Sequence, residues 1–140
     1  MTPRYLLDTN ILSEAVKPDP SPLVLARADR FGDELATASI VVHELLFGCL
    51  RLPFASKRRA TLQIYIEQIV LTGLPILPYD TAAALWHSQE RARLAAQGRT
   101  SPFIDGQIAA IAKVNDLILV TRNIDDFIGF EGLVVENWFD

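Results

Sequence analysis

Three carboxylates far apart in the chain, Asp8, Glu44 and Asp105, each border an apolar segment. Asp8 directly follows the apolar run of Tyr5, Leu6 and Leu7. At about 100° of turn per helical residue, Val41, Val42, Leu45, Leu46 and Cys49 form one broad apolar face. Glu44 falls just outside its edge, with Gly48 one turn on. In a second helical pattern Ile104, Ile108 and Ile111 form the stripe, and Asp105 lies at its edge with Ala109 one turn on and Ala112 two turns on. A small residue at that spacing leaves room for a ligand or another backbone. Gathering these acids in a partly buried crevice is unfavourable unless a proton or a cation offsets their repulsion. Carboxylate oxygens are hard donors, so the matching cation is magnesium or manganese and not zinc. Such an ion activates water and stabilises charge on a phosphoryl oxygen, which points to phosphodiester hydrolysis. Each acid also has a plainer reading: Asp8 as a helix cap, Glu44 as an edge residue, and Asp105 as a first-turn acid favoured by the helix dipole.

The elements that must position these acids follow from periodicity. Arg4 to Leu7 reads as a strand that ends at Asp8-Thr9-Asn10, and Ile11, Leu12 and Ala15 then recur at helical spacing. Ser21-Pro22 opens a second helix to about Phe31, and Leu35 to Ser39 is a short strand. Ser39 caps a helix to about Leu50. A further helix follows Lys57-Arg58-Arg59, with Leu62, Ile66, Ile69 and Val70 as its apolar stripe. Pro75 to Leu77 is a strand. Asp80-Thr81 caps a long helix that ends near Gln97-Gly98, and Ser101-Pro102 starts one reaching about Asn115. Leu117 to Val120 suits a strand buried on both faces, and Leu133-Val134-Val135 forms the last strand. Strands alternating with helices imply an α/β fold with a parallel sheet covered on both sides. In such a sheet functional groups gather beyond the strand ends, where Asp8 and Asn123 would share a crevice if their strands are neighbours.

Composition narrows the class. With 140 residues the chain suits one domain, spanning 1–140, and the 50% of hydrophobic residues exclude disorder. That apolar share exceeds what a small core needs and leaves surface for an interface. Thirteen Lys and Arg against 17 Asp and Glu give a net charge of −4, so the surface is not the basic field of a strong non-specific nucleic-acid binder. A single cysteine, Cys49, excludes an internal disulfide and a thiolate zinc cluster. No apolar run approaches membrane-spanning length and no signal segment opens the chain, so a cytoplasmic location is expected.

Four phrases stand in the order and spacing of a known family: Leu7-Asp8-Thr9-Asn10-Ile11-Leu12-Ser13-Glu14, Val42-His43-Glu44-Leu45, Asp105-Gly106-Gln107-Ile108-Ala109-Ala110, and Val120-Thr121-Arg122-Asn123 with Asp126-Phe127. The sequence resembles PIN-domain ribonucleases of the VapC toxin type. The resemblance implies a PIN-like three-layer α/β/α domain around a central parallel sheet and a magnesium-dependent endonuclease, with manganese as a possible substitute. It implies cleavage of structured RNA, commonly tRNA or ribosomal RNA, at a single-stranded loop. Asp8, Glu44 and Asp105 match the family's first three acids, with Asp8 and Asp105 as metal ligands and Glu44 acting directly or through water. Many members carry Asp where this chain has Asn123, and Asp126 takes over that charge. Thr121 and Asn10 match polar positions beside the family's site. A small VapB-like antitoxin and a homodimer are the implied partners, with no membrane.

Two other readings compete. An aspartyl phosphatase would use Asp8 as nucleophile, but it wants a second acid two residues on, where this chain has Asn10. A catalytically silent domain would bind only protein or RNA. Arg51 with Lys57, Arg58 and Arg59, or Arg91, Arg93 and Arg99, could hold an RNA backbone, yet each cluster also reads as a solvated helix face. Arg122 adjoins Asn123 but could pair with a structural acid. His43 and His87 have no metal-ligand spacing, and Cys49 phases to the core.

Overall fold

A computed structural model describes residues 2–140. Five parallel strands, β1 (Tyr5–Leu7), β2 (Leu35–Ala38), β3 (Ile76–Leu77), β4 (Ile118–Val120) and β5 (Val135–Glu136), form one sheet in the order β3-β2-β1-β4-β5. Helices flank it, as the strand–helix alternation requires. The chain builds outward from β1 to β3, then returns to the other side of β1 for β4 and β5. The direction therefore reverses between β1 and β4, where an open α/β sheet leaves its crevice. Tyr5, Leu6 and Leu7 pair with Ile118, Leu119 and Val120. The N–H of Asp8 continues that ladder to the Val120 carbonyl at 2.9 Å. The neighbouring strands that would bring Asp8 and Asn123 together are thus present.

The helices are α1 (Thr9–Leu12), α2 (Pro22–Arg30), α3 (Ser39–Leu50), α4 (Lys57–Tyr65), α5 (Leu71–Gly73), α6 (Thr81–Ala96) and α7 (Phe103–Val114). Ser21 and Asp80 cap α2 and α6, their side chains accepting from the N–H groups of Val24 and Ala83. Gly98, just beyond α6, has φ +71°, a conformation a glycine adopts without strain. Among the described residues, no helix is long and apolar enough to cross a membrane.

The structure corrects the sequence reading at several positions. Ser39 does not cap α3: it is the first helical residue, and Ala38 holds the cap position without a side-chain bond. Ile69 is exposed while Ile66 and Val70 are fully buried, because Ile66–Val70 form a π-helical turn that shifts the phase of the stripe. Ile104, at the first turn of α7, is also exposed. The last strand lies at Val135–Glu136, with Val134 exposed and Val120 paired to Glu136. After α1 the chain tightens into a 3-10 turn at Ser13–Val16, which turns Glu14 inward and leaves Ala15 outside. Buried Glu14 accepts from the Ser21 N–H at 2.7 Å and lies 2.9 Å from Lys17 Nζ.

One core underlies the sheet and its helices. Trp138 is 1% exposed and stacks edge-on against Tyr5, with ring centroids 5.2 Å apart, so the end of the chain is pinned to the central strand. Cys49 is fully buried, as its phase predicts.

Candidate active site

Asp8 leaves the end of β1 and caps α1, and both jobs orient its carboxylate. Oδ1 accepts from the Thr9 N–H at 2.8 Å, and Oδ2 accepts from the Thr121 hydroxyl at 2.8 Å. Thr121, fully buried at the end of β4, is the hub of the site. Its Oγ1 also accepts from the Asn123 N–H at 3.1 Å and, more loosely, from Asn10 Nδ2 at 3.4 Å. Asn10 Oδ1 in turn accepts from the Arg122 N–H at 3.0 Å. Asn10 and Thr121 therefore clamp the end of β1 to the end of β4 and fix the Asp8 rotamer. Among the described residues the Asn123 side chain makes no hydrogen bond, and only its backbone joins the network.

The other acids come from helices. Glu44 sits partly buried at the edge of α3 and Asp105 partly buried in the first turn of α7. Asp126 is exposed in the short helical turn at Ile124–Phe127, whose apolar anchor is buried Phe127. The four acids are near enough to act on one another electrostatically. Burial raises the Asp8 carboxyl above its usual range against the pull of its two hydrogen bonds, and the charges of Asp126 and Glu44 push the same way. Asp105 is pushed up to about 6, first by burial and then by the charges of Asp126, Asp8 and Glu44. The Asp126 charge acts on both Asp8 and Asp105.

The small residues beside the acids differ in role. Gly48 opens onto free space near Glu44, whereas Ala109 is fully buried, so its size lets the core close and does not clear a ligand path. Gly106, next to Asp105, is small for another reason. A Cβ there would collide with His87 Nε2, and His87 is 2% exposed and bonded through Nδ1 to the Tyr79 hydroxyl at 2.8 Å. Sequence periodicity gave no sign of this wedge of α6 against α7. Gly106→Ala is expected to destabilise the protein by about 1–3 kcal/mol, since a buried ring must move. Thermal unfolding reads this directly, and an unchanged melting temperature would show that His87 has room to turn.

The basic clusters divide. Arg59 donates to the Leu52 carbonyl at 3.1 Å and Arg93 is bidentate to buried Glu90, at 2.9 and 2.8 Å. Both are structural. Glu90 also accepts from the Glu131 N–H, tying α6 to the loop after Phe127, a pairing that helical spacing alone did not reveal.

These acids suit a hard divalent cation: Asp8 is preoriented, and three neighbouring charges make a counter-ion favourable at Asp105. Among the described residues no three Asp, Glu, His or Cys side chains are drawn in to hold one ion together.

Comparison with known proteins identifies the family of the chain. The family model of the PIN domain matches residues 5–131. The tRNA(fMet)-specific endonuclease VapC of Shigella flexneri is 32% identical over 135 residues, covering 96% of this chain and 98% of that protein. Toxin FitB of Neisseria gonorrhoeae is 33% identical over 138 residues, covering 96% and 99%. The crystal structure of DNA-bound VapBC from Salmonella typhimurium superposes with a TM-score of 0.84 at 29% identity, over 97% of this chain and 98% of that one. With matches running along nearly its whole length, the chain belongs to the PIN-domain family and groups with the VapC and FitB toxins within it.

Proposed function

We propose that this chain, acting as a single PIN domain, is a magnesium-dependent endoribonuclease and the toxin of a toxin–antitoxin pair. The observation that carries the reading is the Asp8 carboxylate held at the β1–β4 reversal by the Thr9 N–H and the Thr121 hydroxyl, at 2.8 Å each, in a chain whose residues 5–131 match the PIN domain. Four acids held together at the head of a parallel sheet are costly to the fold and are explained by a cation and a phosphate ester. Asp8 and Asp105 would hold the ion, and Glu44 and Asp126 would hold water around it. Thr121, Asn10 and the Asn123 backbone keep Asp8 in place. When bound, magnesium supplies activation of water and charge stabilisation at the phosphoryl oxygens. Manganese, equally hard in its preference for oxygen, would substitute.

The substrate class follows from the family relation: structured RNA, tRNA or ribosomal RNA, cut in a single-stranded loop. Partners follow from the same relation and from the surface. Phe47, Leu50, Phe54, Ile64 and Ile69 are all more than half exposed, which supplies bare apolar area for a homodimer face and for an antitoxin segment. A cytoplasmic location fits an RNA substrate of this kind.

End-group chemistry tests the reading. Water attacks phosphorus while the bond to the 3′ oxygen breaks and that oxygen takes up a proton. The expected products carry a 5′-phosphate and a 3′-hydroxyl, form in magnesium or manganese, and are absent in EDTA, with tRNA and ribosomal RNA tested separately. A 2′,3′-cyclic phosphate formed in EDTA would overturn the mechanism.

A further inference from the structure

An RNA backbone approaching four carboxylates is repelled, so a nuclease of this kind needs a cation beside the acids to hold the strand. Arg122 stands where that cation is needed. Its N–H donates to Asn10 Oδ1, and the next N–H in the chain donates to Thr121 Oγ1, at 3.0 and 3.1 Å. Both acceptors belong to the group that fixes Asp8, so the Arg122 backbone is registered to the Asp8 carboxylate. Its side chain is exposed and, among the described residues, makes no ion pair. Glu14, whose carboxylate feels the Arg122 charge, is already engaged by Lys17 and the Ser21 N–H.

The guanidinium lies over the Phe139 ring, its carbon 4.5 Å from the ring centroid. That ring is itself anchored. The Phe139 N–H donates to Asn137 Oδ1 at 2.8 Å, Arg27 donates to the Asn137 carbonyl at 3.3 Å, and neighbouring Trp138 is packed into the core. Arg122, Asn123 and Asn137 line a recess of about 400 Å³ together with Asp125 and Asp126. A cation and two amides thus share one recess with Asp126, whose charge acts on Asp8 and Asp105. The matching ligand is an anion in a chain of hydrogen-bonding groups, which describes the phosphodiester strand of RNA.

We propose that Arg122, held flat on Phe139, binds a backbone phosphate of the RNA strand adjacent to the one that is cut. This rests on the ribonuclease reading above. A planar guanidinium already fixed by a ring loses less freedom on binding and offers two parallel donors to a phosphate, which a lysine cannot do.

The test uses the full chain in saturating magnesium and an oligoribonucleotide spanning the main cut site mapped in total bacterial RNA. Arg122→Ala should raise KM about tenfold and leave kcat within about twofold, as loss of one charge-assisted contact predicts. The slope of log(kcat/KM) against log[KCl] should become shallower by about 0.7, the share of one phosphate contact on a single strand. Arg122→Lys should restore the slope but only part of KM. Phe139→Leu should raise KM severalfold with the slope unchanged. Melting temperatures within about 2 °C of the parent would show that these changes do not report unfolding. If Arg122→Ala keeps the parental KM and slope, or loses kcat alone, the proposal fails while the ribonuclease reading stands. If the parent leaves all RNA uncut, that reading fails and takes the proposal with it.

Discussion

Replacing Asp105 with asparagine should reduce RNA cleavage on the order of 10³-fold, the scale of losing metal-assisted charge stabilisation, while making the metal-free protein more stable. Both effects have one cause. Asp105 has a folded-state proton affinity near 6 against an ordinary value of 3.8, because it is partly buried among Asp126, Asp8 and Glu44. The folded state therefore holds its proton more tightly than the unfolded chain. Stability is lost as pH rises from the ordinary value through about 6, and the full penalty persists above that. Asparagine removes the charge and the penalty with it. Because Asp105 is only partly buried, solvent screening leaves a gain of about 1 kcal/mol, read as a rise of roughly 3–5 °C in melting temperature at pH 8 in EDTA. Near pH 3.5 the two proteins should melt together as far as this group is concerned. A variant that cuts RNA at the parental rate, or that is no more stable at pH 8, would show that Asp105 does not share a site with the other acids.

Asp8→Asn should abolish cleavage as well, but its effect on stability differs. From charge alone the two substitutions relieve the same repulsion. In the structure, however, Asp8 accepts two hydrogen bonds, and Thr121 Oγ1 already accepts from Asn10 and Asn123 while donating to Asp8. An asparagine can accept only through its single oxygen, so either the Thr9 N–H or the Thr121 hydroxyl loses its acceptor. That cost, about 1 kcal/mol, offsets the relief of burying a charge.

Metal binding should be coupled to a proton. Near pH 5.5 most Asp105 carboxyls are protonated, and an ion must displace that proton to bind, whereas near pH 7.5 Asp105 is already ionised. Calorimetric titration of manganese in buffers of different ionisation enthalpy should show most of one proton released per site at the lower pH and almost none at the higher. Apparent affinity should fall about tenfold per pH unit below 6. In the same preparation, an ion at about 100 times its Kd should add about 2.7 kcal/mol to stability. Affinity that is flat between pH 5 and 8 would mean that the ion binds elsewhere.

Much of this site was legible because its parts are local. The end of the Tyr5–Leu7 run places Asp8, helix phase places Glu44 and Asp105 at the margins of apolar faces, and the run before Thr121 places the other strand end. The pairing of β1 with β4 depends on residues more than a hundred apart and could only be assumed. Two departures from ideal helix misled the phasing: the 3-10 turn that buries Glu14 in place of Ala15, and the π turn that exposes Ile69. At the sheet edge β5 has a single neighbour, so the apolar run Leu133 to Val135 did not fix its register, and pairing runs on to Glu136. The His87 wedge at Gly106 and the Glu90–Arg93 lock arise from packing between elements, which no single stretch of sequence records.

The most direct test of the central claim is to incubate the purified chain, free of any partner, with total bacterial RNA and magnesium, beside Asp105→Asn and an EDTA control, and to map every new RNA end. The account predicts a small set of discrete ends in the parental sample that vanish in both controls. The same ends in all three samples, or none from a folded protein that binds metal, would contradict it.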